Sequence, residues 1–167
     1  MSFLKLCRTL LPALLFTVMQ VRAQSEADQK KKAALKQFRS LIESKKYYFQ
    51  ANSATSMKGR TIQLTGGYFL RLNNDELVVY LPYYGRSFTS DYGSQNLSVD
   101  FTSRDFTYSA DSTKKGGWEI TITPANEPKA NKINLSIGSS GYTTVRIASS
   151  SRQPISYYGQ VTVIPSK

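Results

Sequence analysis

The chain has 167 residues, with 22 Lys and Arg against 11 Asp and Glu, a single cysteine and no histidine. That length fits one domain built on one hydrophobic core. Without histidine, and with its one cysteine at position 7, the chain has no route to a Ser-His-Asp triad, a Cys-His dyad or a zinc site of the usual nitrogen and sulfur ligands.

Met1 to Ala23 reads as a secretory signal peptide. Lys5 and Arg8 charge its start, an apolar run extends from Leu10 to Met19, and Val21-Arg22-Ala23 supplies short residues ahead of a cut expected after Ala23. The run is interrupted by Pro12 and is too short for a bilayer core of about 30 Å, which needs roughly 20 apolar residues. Cys7 precedes the run, whereas a lipid-modified cysteine would follow it, so Cys7 is expected to leave with the leader. Removal of 23 of the 167 residues leaves 144 with no cysteine, and the formal charge falls from +11 to +8. No disulfide can then form, and stability must come from the core. The expected location is periplasmic or secreted.

Basic density is concentrated at the start of this mature region. Seven Lys and Arg face three acids between Gln24 and Gln50, with Lys30, Lys31 and Lys32 in a row. Such a run is either a solvated helix face or a peripheral contact with an anionic membrane surface. Export removes nucleic acid from the expected partners.

Ser25 and Asp28 form a capping pair, and Ala34, Leu35, Phe38, Leu41 and Ile42 recur at three- and four-residue steps. The pattern predicts one amphipathic helix over residues 25–46 that lies against a sheet. From Tyr47 onward the period becomes two. Leu77, Val79 and Leu81, then Val99 and Phe101, Ile120 and Ile122, Ile133 and Leu135, Val145 and Ile147 each alternate with wetter residues. The expected strands are 47–51, 68–72, 76–81, 97–101, 106–109, 118–123, 132–137, 142–148 and 156–164, with 61–64 as a further short candidate. Asn73-Asn74-Asp75, Lys115-Gly116-Gly117 and Ser139-Ser140-Gly141 are the turn signals between neighbours, and short links mean antiparallel pairing. The fold class is therefore mainly β: an antiparallel meander of about eight or nine strands, strongly curved or barrel-like, with one N-terminal helix. Residues 86–96 and 124–130 are the longer loops, where a functional edge is expected.

Among residues that carry chemistry, Asp91, Asp100, Asp105 and Asp111 come at irregular intervals, and no calcium-loop pattern is present. A carboxylate pair for glycoside hydrolysis is the enzymatic alternative, and the non-enzymatic reading is preferred. No cofactor or metal is expected. Aromatic residues are the most distinctive feature: eleven Tyr, one Trp and eight Phe, with Tyr-Tyr-Gly occurring at Tyr83-Tyr84-Gly85 and again at Tyr157-Tyr158-Gly159. Each follows a turn-prone residue, Pro82 in the first case and Ser156 in the second. Consecutive tyrosines on a strand point to opposite faces, so one joins the core and the other presents its hydroxyl outward. Tyr83, Tyr84, Arg86, Tyr157 and Tyr158 are thus the candidate ligand-binding residues. The competing reading is architectural, with the inner tyrosine packed and the glycine turning the strand.

Leu81-Pro82-Tyr83-Tyr84-Gly85-Arg86 and the terminal Ser156-Tyr157-Tyr158-Gly159, together with the Gly117-Trp118 hairpin, resemble a family of exported bacterial domains of unknown function, mainly from Bacteroidota. The resemblance covers most of the mature chain. It implies an exported location and the same fold class, and it carries over no catalytic residue. This chain departs from the members with a lipoprotein signal by lacking a cysteine after its leader. The reading from these observations is a non-enzymatic envelope module that binds a glycan, lipid or protein. The alternative is a structural or assembly protein that pairs through a sheet edge or the basic helix.

Overall fold

The structure, a computed structural model, describes residues 36, 38–86, 88, 98–114 and 116–165. The chain divides into two compact units, Met1–Phe38 and Arg39–Lys167. In the first, Lys36 and Phe38 are described, and both are helical. The leader, Ser25, Asp28, Lys30, Lys31 and Lys32 lie outside the described residues.

In the second unit the helix continues to residue 43 and ends in a turn at Lys45, whose φ of 52° is left-handed. Ile42 is buried, while Arg39 and Glu43 pair at 2.8 Å on the exposed side, so the three- and four-residue spacing has sorted the two faces. The carbonyl of Lys45 accepts from the Asn74 amide at 2.9 Å, which fastens the helix end to the first tight hairpin.

Ten strands follow: β1 (Lys46–Ser56), β2 (Thr61–Gln63), β3 (Phe69–Asn73), β4 (Glu76–Pro82), β5 (Ser98–Ser103), β6 (Phe106–Ser112), β7 (Trp118–Pro124), β8 (Lys132–Ile137), β9 (Tyr142–Ala148) and β10 (Ile155–Thr162). They form one antiparallel sheet in the order β5-β4-β3-β1-β10-β9-β8-β7-β6, with β2 paired to the far half of β1. The meander expected from the short links holds for β3–β5 and β6–β10. What breaks it is β1, which sits between β3 and β10 and joins the two halves.

Because every neighbour in this order is antiparallel, β5 and β6 at the two ends run in the same sense. Only Arg104 and Asp105 separate them. They are the two halves of one bent strand, the first laddered to β4 and the second to β7. The sheet therefore closes nearly into a barrel through chain continuity. At the bend, Ser103 Oγ lies 2.9 Å from the Asp105 carbonyl, and Glu76 accepts from both Arg71 (3.0 Å) and Arg104 (3.1 Å), tying the bend to the β3–β4 hairpin.

The interior is filled by the inward parity of each strand. Phe49, Leu70, Leu72, Leu77, Val79, Leu81, Ile120, Ile122, Ile133, Leu135, Val145 and Tyr157 are all essentially without solvent contact. Along the closing strand Val99 is buried, while Phe101, Phe106, Tyr108 and Ala110 on the same parity are half-buried. Turn chemistry sits where the sequence places it: Asn74 (φ 54°), Gly116 (φ 77°) and Gly141 (φ 84°) occupy the left-handed positions of the hairpins. Asn52 is the extra residue of a bulge that shifts the β1–β10 register between Ala51 and Ser53.

Candidate functional site

The two Tyr-Tyr-Gly segments occupy different places. Tyr83-Tyr84-Gly85 lies just past the end of β4, whereas Tyr157-Tyr158-Gly159 lies inside β10, and Pro82 and Ser156 are strand residues in both cases. The second motif lies within the strand expected over 156–164, and turn-prone Ser156 is part of it because Ile155 already pairs with Ser56 and Ile147.

In both segments the first tyrosine turns inward and the second outward. Tyr83 and Tyr157 are buried, at 4% and 0% exposure. Tyr157 Oη donates to the Pro82 carbonyl at 2.8 Å, the residue just before Tyr83. Tyr83 Oη lies 2.8 Å from the Arg86 carbonyl and 3.0 Å from that of Gln153, two residues before β10 begins. Gln153 N–H in turn donates to Arg86 O at 3.0 Å. Each inner tyrosine thus holds the backbone flanking the other, a clasp that joins the end of β4 to the start of β10. The Arg152 guanidinium carbon lies 5.1 Å from the centre of the Tyr83 ring while its Nη1 donates to Ser98 O at 3.0 Å. Burial raises both phenol pKa values, Tyr157 far above the ordinary range, with Arg152 opposing the shift in each.

The glycines complete the clasp sterically. A Cβ at Gly85 would run into the Tyr83 hydroxyl, and one at Gly159 into the Gln50 carbonyl across the β1–β10 ladder. The hydroxyls of Tyr83 and Tyr157 are therefore engaged in architecture, and Tyr84 and Tyr158 remain outward, at 42% and 48% exposure. The Arg86 side chain is also exposed, while its carbonyl serves the clasp.

Tyr158 has company. On the outward face, register aligns Asp100 (β5), Tyr80 (β4), Phe69 (β3), Gln50 (β1), Gln160 (β10) and Tyr142 (β9) in one cross-strand row. At one end Tyr48 stacks on Phe69 at 5.1 Å, Phe69 meets Tyr80 at 6.1 Å, and Tyr80 meets Tyr68 at 5.5 Å. At the other end Tyr142 and Tyr158 lie 6.0 Å apart with their planes within 4°. The two amides of Gln50 and Gln160 occupy the row between these aromatic groups. Arg71, beside Tyr48 on the next row, is held by Glu76.

Tyr80, Tyr142, Tyr48, Phe69, Gln50 and Gln160 were not among the candidates from sequence. Part of the signal was readable: Tyr80 and Tyr142 fall on the wet parity of strands whose dry parity is evident from Leu77-Val79-Leu81 and Thr143-Val145-Ile147. Their assembly with Tyr158 depends on β1 lying between β3 and β10, which no local pattern encodes.

The loop expected at 124–130 borders an open groove of about 380 Å³ lined by Pro124, Asn126, Glu127, Pro128, Asn131 and Ser150. The 86–96 loop lies mostly outside the described residues. Among the described residues no group of three His, Cys, Asp or Glu side chains is gathered, and no helix is long and apolar enough to cross a membrane.

Taken together, these features define a small barrel-like antiparallel sheet with an apolar inner face and aromatic residues on its outer face. Residues 29–161 match the family described as "Domain of unknown function (DUF4251)", and the chain belongs to that family. The crystal structure of a DUF4251 family protein from Bacteroides eggerthii DSM 20697 has a similar fold, with a TM-score of 0.58 over 78% of this chain and 88% of that one, at 14% identity. No curated protein matches the chain.

Proposed function

We propose that this protein is an exported, non-enzymatic binding module of the cell envelope, whose ligand docks on the outward aromatic face. The observation that carries this reading is the set of rings left outward on β4, β3, β1, β10 and β9, while the inward residues of the same strands are buried. Aromatic side chains combine large apolar area with hydroxyls at the rim, and six of them gathered on one face exceed what scattered surface residues supply. Export rests on the leader pattern of residues 1–23. The two Tyr-Tyr-Gly segments we take as the family's structural signature, since their inner tyrosines and glycines are committed to the clasp.

The test is a thermal-shift and native mass-spectrometry screen of the purified protein against envelope glycans, phospholipids and peptides. A ligand that prefers the folded state raises the apparent melting temperature. The expected result is a shift that Tyr158→Ala diminishes while the unliganded melting temperature stays nearly unchanged. Absence of any ligand-induced shift, together with a stable dimer or higher assembly, would replace this reading with an assembly role.

A further inference from the structure

From the composition of the cross-strand row we infer that the aromatic face binds an uncharged, extended glycan chain laid across β4, β3, β1, β10 and β9. This rests on the binding-module reading and names its ligand class. Neighbouring strands lie about 4.8 Å apart, so Phe69 on β3 and Tyr142 on β9, three strands along the same row, stand roughly 15 Å apart along the sheet. That is the reach of a short oligosaccharide, with a ring cluster under each end.

The chemistry of the row fits sugar residues at each position. Pyranose rings present flat C–H faces and an equatorial belt of hydroxyls, so they need aromatic faces to cover and neutral donor-acceptor groups to bind. Tyr142 and Tyr158 stack with centroids 6.0 Å apart and planes within 4°, and at 51% and 48% exposure each leaves about half of its surface open to a sugar ring. Tyr80, exposed at 41%, forms the far end with Phe69 and Tyr48. Between them Gln50 and Gln160 each carry one amide acceptor and two donors, the set that hydroxyl groups can satisfy in either sense.

Charge selects among envelope ligands. The row from Tyr80 to Tyr142 holds no ionised side chain, the nearby Arg71 guanidinium is paired with Glu76 at 3.0 Å, and Asp100 stands beside Tyr80 at the end. A polyanion would gain no counter-charge along the row and would meet a carboxylate at its end. A phospholipid surface would likewise find neither a basic cluster nor a hydrocarbon-lined cavity there. The complement of a neutral, aromatic, amide-bearing strip is a neutral polysaccharide.

The experiment measures binding of the purified protein to uncharged β-1,4-linked glucose and mannose oligomers, to a uronic-acid polymer and to anionic phospholipid vesicles. Tyr142→Ala, Tyr158→Ala and Tyr142→Phe are run in parallel, with melting temperature as the folding control. The expected result is binding of a neutral oligomer that weakens on the order of tenfold in each alanine variant and is retained in Tyr142→Phe, because the ring face and not the hydroxyl makes the contact. Binding of the uronic-acid polymer or the vesicles in place of the neutral oligomers overturns this inference and leaves the binding-module reading standing. Neutral-oligomer binding that both alanine variants retain overturns the location. Silence from all three ligand classes overturns the inference, and the reading beneath it falls as well when peptides also give no shift and the protein forms a stable assembly.

Discussion

At the scale of single residues, the two faces of each Tyr-Tyr-Gly segment have separate duties. Tyr157 Oη is buried and donates to Pro82 O, while its neighbour Tyr158 stands in solvent against Tyr142. Tyr157→Phe removes the buried donor to the Pro82 carbonyl, which costs about 0.5 to 1.5 kcal/mol. Tyr158→Phe touches no buried group and is expected to stay within about 0.5 kcal/mol. Urea unfolding of the two variants beside the parent measures the difference, and equal stabilities would mean that the clasp is not holding β4 to β10. The alternation of consecutive tyrosines was legible in sequence, because strand parity is a local property. Which hydroxyl found which carbonyl was not, since Tyr157 and Pro82 are 75 residues apart. A third buried phenol, Tyr47, faces Tyr108 closely enough for the two to interact electrostatically, yet neither oxygen has a partner of hydrogen-bonding geometry among the described residues. Lys45 Nζ lies 5.0 Å from the centre of the Tyr108 ring.

At the scale of elements, strand positions followed the sequence closely. The spans expected at 132–137 and 142–148 are those of β8 and β9, bounded by turn residues with left-handed φ on one side. β1 was the least complete, expected to end at Ala51 and in fact continuing to Ser56. Its far half, Ala51 to Ser56, has small or polar residues and a bulge, so it lacks the alternation that marks a strand, and pairing with β2 and β10 decides it. Pairing also sets local stability. β1 and β10 are laddered on both sides, while β5 and β6 are each laddered on one side among the described residues, and their inward residues other than Val99 are half-buried. Amide hydrogen exchange is therefore expected to be faster in β5 and β6 than in β1 and β10 by at least about tenfold. Uniform protection across all four would mean that the closing strand opens only when the whole barrel does.

At the scale of the whole molecule, the titratable groups that folding perturbs upward among the buried residues are phenols. Burial raises the pKa of Tyr47, Tyr83, Tyr108 and Tyr157 above the ordinary value of 10.0. The folded state then holds these protons more tightly than the unfolded state does, so their contribution is fully present below about pH 10 and falls as pH rises above it. With no histidine to titrate, the melting temperature is expected to change little between about pH 6 and pH 9. Above about pH 10 it should drop, with a late tyrosinate absorbance change that coincides with unfolding. A smooth titration of all tyrosines near the ordinary value, with the fold intact, would contradict the burial of these four.

The properties legible along the chain are those that short-range chemistry enforces. Period-two alternation placed the strands and their dry faces, Asn and Gly at left-handed positions set the hairpins, and adjacent tyrosines were sent to opposite sides of the sheet. Tertiary structure alone decided the insertion of β1 between β3 and β10, the closure through the bent β5–β6 strand, and the row that brings Tyr80, Phe69, Gln50, Gln160 and Tyr142 together. The physical reason is that strand order and register are fixed by which apolar faces fill one interior without voids. That condition is met only by the whole sheet at once.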